Sequence, residues 1–335
     1  MAKVYFSKDI DKILDSIDYS KLGKNVAIKV HFGEMGCVTY ISPKLVKKVY
    51  DNIISLGKKA TLVECNVLYR GSRTNRTDHI KTAISHGFDF APIDILDGEN
   101  GEDEIELAID NGTVKKVKLG AGLKKYDSMV VLTHFKGHID AGYGGAFKNI
   151  GMGLASRSGK LKIHANTHPT INSAKCISCG KCIDNCNYNA ISLVDGKAKI
   201  NPKICIGCAM CIAVCPSGAA GVPWGSSSHS EVCKKIVDYT KGVMKLIPNM
   251  VFINFLQNIT KDCDCFGIVQ TPIIPDIGVL YSEDIVAVDK ASLDLVNSKS
   301  NGKFDKINNI DKNLQIDYGY LKKMGDLNYE LIKLD

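Results

Sequence analysis

Short apolar runs alternate with amphipathic stretches along most of the chain, the pattern of strands and helices in succession. Residues 25–31 (NVAIKVH) predict a strand, 43–56 an amphipathic helix and 60–64 a second strand. Together they make a βαβ unit and imply a parallel sheet. The same alternation predicts a helix over 78–86, a short strand over 91–95, and buried strands over 128–133, 249–255 and 276–281. Asp110-Asn111-Gly112 marks a hairpin between residues 104–109 and 113–119. Residues 283–296 have helical spacing, and the polar remainder from Asn297 is expected to carry a terminal helix. The fold class is α/β, with a mostly parallel sheet.

Residues 171–222 break this rhythm. They hold two runs that repeat each other, Cys176-x2-Cys179-x2-Cys182-x3-Cys186 and Cys205-x2-Cys208-x2-Cys211-x3-Cys215-Pro216, with Cys205 standing 29 residues after Cys176. Both follow the C-x2-C-x2-C-x3-C spacing of bacterial ferredoxins, in which the fourth cysteine ligates the other cluster. One 4Fe–4S cluster is therefore assigned to Cys176, Cys179, Cys182 and Cys215, and a second to Cys205, Cys208, Cys211 and Cys186. Zinc ribbons use ligand pairs split by a long spacer and fit this spacing less well. Asn187 stands where the second run has proline, which is expected to alter local solvation without loss of the cluster. The domain reading is a discontinuous α/β domain, 1–170 and 223–335, interrupted by a bacterial-type dicluster ferredoxin (α+β) insert at 171–222.

Composition bounds the rest. The 335 residues are 45% hydrophobic and 24% charged, which excludes disorder and suits about two domains. The opening MAKVYFSKDI has no apolar run and does not read as a signal peptide, so a reducing, cytoplasmic compartment is expected. There, clustered cysteines bind metal or do redox chemistry instead of forming disulfides, and 13 is in any case an odd number. A net charge of +7 with 7% aromatics gives no reason to expect nucleic acid, and no segment suits a membrane. Within 171–222, Lys175, Lys181, Lys197, Lys199 and Lys203 face only Asp184 and Asp195, a basic rim suited to a redox partner of ferredoxin or flavodoxin type.

The remaining chemistry gathers at predicted strand ends. His31-Phe-Gly-Glu34, with Cys37, closes the first strand, and residues 66–73 (NVLYRGSR) follow the second. Arg70, Arg73 and Arg76 are three of four arginines, a concentration expected to grip an anion. The glycine-rich stretch 134–153 follows another strand, where parallel sheets bind ligands. It matches neither GxxxxGK[ST] nor GxGxxG, since Phe147 sits where the third glycine belongs. His134, Lys136, His138 and Lys148 in it are candidates for holding an anion or moving a proton. Asp262-Cys263-Asp264-Cys265 reads as an extra metal or redox site, with Cys37 as the added thiol. Cys65 and Cys233 read as core, and His79, His86 and His229 receive no role.

The runs VAIKVHFGE, ECNVLYRGSRTNRTDH, LTHFKGHIDAGYGGAFKNIGMGLASRSGK, INFLQNITKDCDCFG and PDIGVLYSEDIVAVDKASLDLVN resemble the iron–sulfur family catalogued as domain of unknown function 362. That resemblance implies a tandem ferredoxin unit set inside an α/β domain. More distantly, residues 138–148 (HIDAGYGGAFK) are similar to the H-x-x-A-G-[FY]-x-G-G-x-K stretch of nickel-pincer lactate racemases, with Ala146 replacing the second glycine. This likeness implies a shared fold and pocket position, with His138 in the catalytic apparatus and Lys148 as the cofactor anchor.

The leading expectation is a low-potential iron–sulfur electron-transfer protein of anaerobe-type metabolism. It would be an oxidoreductase passing electrons through two 4Fe–4S clusters to a small anionic ligand held by His31, His138, Lys148 and the arginine loop. The alternatives are a non-catalytic ferredoxin-like carrier docking on a partner complex, and a racemase-like enzyme with structural or regulatory clusters and a further organic or metal cofactor.

Overall fold

The computed structural model describes all residues, 1–335. Its main sheet has eight strands, in the order Tyr329–Lys333, Ala2–Ser7, Gly278–Ser282, Asn249–Leu256, Ser128–His134, Asn25–Lys29, Lys59–Glu64 and Ile93–Ile95. Gly278–Ser282 pairs antiparallel with both its neighbours, and the other five pairings are parallel. Ser128–His134 is buried at every position, as a central parallel strand covered on both faces must be. Successive residues on it enter opposite layers: Met129 and Val131 join the core with Phe147 and Ile236, while Val130 and Leu132 join the one with Val49 and Phe88.

The helices Pro43–Ser55, Arg76–Ser85 and Ile285–Lys299 stand where the periodicity expects them. The expected hairpin forms between Glu104–Ala108 and Lys116–Gly120, with Asn111 in the left-handed region. The C-terminal expectation is corrected. A helix at Leu314–Leu321 is followed by the strand Tyr329–Lys333, which pairs with Ala2–Ser7 at the sheet edge. Short, half-exposed and charge-bearing, these two strands lack the apolar run that marks the central ones. The strand expected over 25–31 ends at Lys29, so that residues 30–34 turn out of the sheet and carry His31 with them.

Residues 171–222 fold around a small apolar cluster that includes Cys176, Ile191, Ala198, Cys211 and Ile212. Backbone conformation repeats along with the cysteine spacing. Ser178, Gly180 and Asn189 have positive φ, and so do their counterparts 29 residues later, Gly207, Ala209 and Gly218. Each run then enters a short helix, Lys181–Asp184 or Met210–Val214. The strand pairs repeat in exchanged order: Ile171 pairs with Ala220, and Ile200 with Ile191. This is a local two-fold pseudosymmetry. No helix of the protein is long and apolar enough to cross a membrane.

Candidate functional site

Four neighbouring strands, Lys59–Glu64, Asn25–Lys29, Ser128–His134 and Asn249–Leu256, run in one direction, so their C-terminal ends share one crevice. A cavity of about 460 Å³ opens there. It is lined by His31, Arg73, His134, Lys136, His138 and Lys148, six of the eight candidate side chains. Glu34 and Arg70 lie outside it. Glu34 accepts from the Ser72 amide at 2.6 Å and faces Arg73 Nε at 3.3 Å. Arg70 is exposed and lies against Gly218 in 171–222.

Beneath the cavity is a buried ion network. Lys29 Nζ sits 3.1 Å from Glu64 Oε1 and donates to Asn149 Oδ1 at 2.8 Å. Arg73 Nη1 lies 3.3 Å from Glu64 Oε2. Burial works against the Glu64 carboxylate, but Lys29 and Arg73 outweigh it and hold its pKa well below the usual range. His31 is pushed down to about 3 by burial and then by Arg73, so its imidazole is neutral.

The expected anion grip by arginine is corrected, because Arg70 lies exposed outside the cavity and the other guanidinium groups already have internal partners. Arg73 serves Glu34 and Glu64, Arg76 donates to the Ile95 carbonyl at 2.8 Å, and Arg157 donates to the Val67 carbonyl at 2.9 Å. Three ammonium groups also line the cavity: Lys136, paired with Asp264 at 3.2 Å, Lys160, which donates to the Ala155 carbonyl at 2.7 Å, and Lys148, which has no carboxylate partner. Burial opposes the Lys136 charge, yet Asp264 and Cys263 raise its pKa above the ordinary value.

Residues Cys263 to Phe266 form a turn closed by the Phe266 amide on the Cys263 carbonyl at 3.0 Å. Asp264 anchors it: its carboxylate meets His134 Nδ1 at 2.7 Å, Thr39 Oγ1 at 3.0 Å and Lys136 Nζ at 3.2 Å. Cys37 is not a third member of the cysteine pair. Its sulfur lies 3.8 Å from Asp264 Oδ1 and 3.4 Å from Thr39, because the Glu34 amide bonds the Asp264 carbonyl and aims the loop at that middle side chain.

The residue that joins the pair is His138. One of its ring nitrogens and the sulfurs of Cys263 and Cys265 lie within 4.8 Å of one another. Lys148 Nζ donates to Cys263 Sγ at 3.5 Å. A hydrogen bond from Cys265, followed by Lys148, His138 and Lys136, holds the Cys263 thiol well below its ordinary pKa, and the Cys265 thiol is raised in turn. Cys233 is a core thiol, pushed up to about 12 by burial. Cys65, also buried, sits on the cavity wall.

Glycines in 134–153 serve close packing. A β-carbon on Gly153 would fall 2.6 Å from Lys29 Cε, and one on Gly137 would fall 2.0 Å from the Lys261 carbonyl oxygen. The helix Ala146–Gly151, which carries Lys148, is fixed at its start by Asp289 Oδ1, which accepts from the Ala146 amide at 2.7 Å.

Sequence reading missed Tyr69, Lys160, His164 and Trp224 on the cavity wall. Tyr69 Oη accepts from Arg73 at 2.8 Å and donates to the Cys265 carbonyl at 3.1 Å. His164 and Trp224 meet edge to face at 4.8 Å. The only available signal was that Trp224 is the sole tryptophan, just beyond the cysteine runs.

The cysteine runs group in space as well as in sequence. Cys176, Cys179, Cys182 and Cys215 line one pocket. Burial and then Cys215, Cys176 and Cys179 raise the Cys182 thiol; burial and then Cys186 and Cys205 raise that of Cys208. Backbone amides of Ala198, Ala190 and Ala220 point at the sulfurs of Cys176, Cys186 and Cys215 at 3.5, 3.3 and 3.5 Å. A four-thiolate donor set with amides turned toward the sulfurs fits a cubane cluster. The second run abuts the cavity: Leu68 lines it and packs in the same cluster as Cys211 and Ile212.

The family model for a Domain of unknown function (DUF362) matches residues 26–294. No curated protein matches the sequence. Among solved structures, a protein from Thermotoga maritima is similar at 12% identity, covering 73% of this chain and 49% of its own, with a TM-score of 0.40. The lactate racemase apoprotein from Thermoanaerobacterium thermosaccharolyticum is similar at 14% identity, covering 76% and 50%, with a TM-score of 0.38. The chain thus spans about half the length of these structures.

Proposed function

We propose that this protein, which belongs to the DUF362 family, is an iron–sulfur oxidoreductase acting on a small anionic substrate in the 460 Å³ cavity. Cys176, Cys179, Cys182 and Cys215 would hold one 4Fe–4S cluster, and Cys205, Cys208, Cys211 and Cys186 the other. When bound, such clusters supply one-electron transfer at low potential. The observation that carries the reading is Leu68, shared between the cavity wall and the apolar cluster around Cys211. A redox segment packed directly on a ligand cavity is more than a carrier requires.

The chain's own groups supply the rest. Lys148, which has no carboxylate partner, attracts and orients carboxylate or phosphate. His138 Nδ1 accepts from the amides of Asp140 and Ala141 at 3.1 and 3.2 Å, so its proton is held at Nε2, on the cavity side. Burial and then Lys148 lower its pKa, which keeps the ring neutral and makes it a hydrogen-bond donor. The exposed lysines at 175, 181, 199 and 203 suit docking of an acidic electron carrier.

The test is anaerobic. The cluster-loaded protein is reduced chemically and mixed with small carboxylates and phosphates while cluster absorbance is followed. Substrate-dependent reoxidation that is lost in His138→Ala and Lys148→Ala supports the oxidoreductase. Unchanged electron delivery to a carrier protein by both variants would leave a docking module instead. The racemase-like reading keeps one favourable observation, His138 and Lys148 on one cavity wall. It predicts a covalent mass adduct on Lys148.

A further inference from the structure

Cys263 and Cys265 have no role in the reading above, yet they are among the most constrained side chains of the cavity. A turn contracts the span from residue i to i+2 below the extended limit of about 7 Å, into the range of about 4.4–6.8 Å that a disulfide bridges. Asp264 between them is held by His134, Lys136 and Thr39, so the turn cannot reorient. Cys265 lines the cavity, while Cys263 lies behind it, buried.

The surroundings favour thiolate chemistry over a metal ion. Three ligand atoms within 4.8 Å have the spacing of a metal site. A neutral imidazole that binds metal through Nε2, however, must carry its proton on Nδ1 and donate it. Here Nδ1 faces two backbone N–H donors and can only accept. Nε2 therefore bears the proton and donates it toward Cys263, which also receives Lys148 Nζ at 3.5 Å. A lysine donor on one sulfur, an imidazole within 4.8 Å and a second thiol beside it make the arrangement of a reactive dithiol.

We infer that Cys263 and Cys265 form a redox-active dithiol on the cavity wall that reduces a small anionic disulfide. The pair begins with one proton for its two sulfurs. That proton rests on Cys265, since Lys148 faces Cys263; Cys265, the sulfur that lines the cavity, passes it to Cys263 as it attacks, the substrate S–S bond breaks, a mixed disulfide forms and one substrate thiolate leaves. The leaving thiolate takes the proton from Cys263. Cys263 then attacks the Cys265 sulfur and releases the second thiolate, leaving a Cys263–Cys265 disulfide. The substrate gains the two electrons that the pair loses. Lys148 selects the anionic substrate. Return of the pair to its starting state, by two electrons and one proton, rests on the iron–sulfur reading; the reaction with substrate does not.

Trypsin releases residues 262–290 as one peptide whose only cysteines are Cys263 and Cys265, so the pair is read by mass without interference from the other eleven. The cluster-loaded protein is reduced, freed of reductant, incubated anaerobically with 3,3′-dithiodipropionate or the uncharged 2-hydroxyethyl disulfide, then alkylated and digested. The expected result is a peptide lighter by two hydrogens and unalkylated, with two substrate thiols released per chain. The anionic probe is expected to react about tenfold faster, an advantage that Lys148→Ala removes. Cys263→Ser is expected to retain the probe as a mixed disulfide on Cys265. A doubly alkylated peptide after incubation with either probe overturns the dithiol, and equal rates for the two probes overturn the substrate class. Iron content measured on the same sample reports separately on the cluster reading.

Discussion

A β-carbon on Gly137 would stand 2.0 Å from the carbonyl oxygen of Lys261, so the strand Lys136–His138 and the segment leading to Cys263 touch backbone to backbone. The Gly137 amide also donates to the Thr260 carbonyl at 2.9 Å. This contact brings His138 and Cys263 together across 125 residues of sequence. Gly137→Ala must push the two segments apart, with an expected loss of about 1–3 kcal/mol by denaturant titration. Alkylation of Cys263 should change in parallel. Gly221→Ala, where no atom lies within 4 Å of the added carbon, should stay within about 0.5 kcal/mol of the parent.

Glu64 is the sole carboxylate between Lys29 and Arg73, at 3.1 and 3.3 Å. Removing it strands the buried Lys29 and leaves Arg73 with Glu34 as its one carboxylate partner. Glu64→Ala is expected to cost about 3–5 kcal/mol of stability. Lys29→Met with Glu64→Gln should recover part of that loss, and a double-mutant cycle on unfolding free energies measures the coupling.

Stability should fall on acidification below about pH 6.5, with Asp97 and Asp289, raised by burial to about 6, offsetting part of the loss because they take up protons in the folded state first. His31 and His164 have folded pKa values of about 3, and His79 of about 4, each lowered first by burial. Unfolded histidine takes up its proton near pH 6.5. The unfolded state thus binds more protons below that pH. The stabilisation is complete above about 6.5 and is lost as pH falls toward the folded values. Each of the three contributes on the order of 1 kcal/mol per pH unit in that window. Urea midpoints at pH 7, 6 and 5 check this, and a flat profile would refute it.

The crossed cysteine assignment has its own signature. Cys176→Ser with Cys215→Ser disables one proposed cluster and should halve bound iron. Cys176→Ser with Cys186→Ser touches both and should remove more than half. Equal iron in the two double variants would mean that each run serves its own site.

The central strands and their helices were legible because each carries an apolar run with one clear period. The edge pairing of Ala2–Ser7 with Tyr329–Lys333 was not, since half-exposed strands draw their stability from a partner 327 residues away. Within the site, the strand-end rule pointed to His31, His134, Lys136, His138 and Lys148. Arginine clustering misled, because a guanidinium grips whichever carboxylate is nearest, and Glu34 and Glu64 lie inside the protein. Replacing Cys37 by His138 beside the cysteine pair depended on which side of a turn each loop meets. Spacing along the chain does not encode that.

Residues 171–222 are the proposed seat of both clusters, and electron paramagnetic resonance of the anaerobically reduced protein, with iron counted on the same sample, tests this most directly. About eight irons per chain and the split spectrum of two interacting 4Fe–4S centres are predicted. Zinc in place of iron, or a single isolated centre, would contradict it.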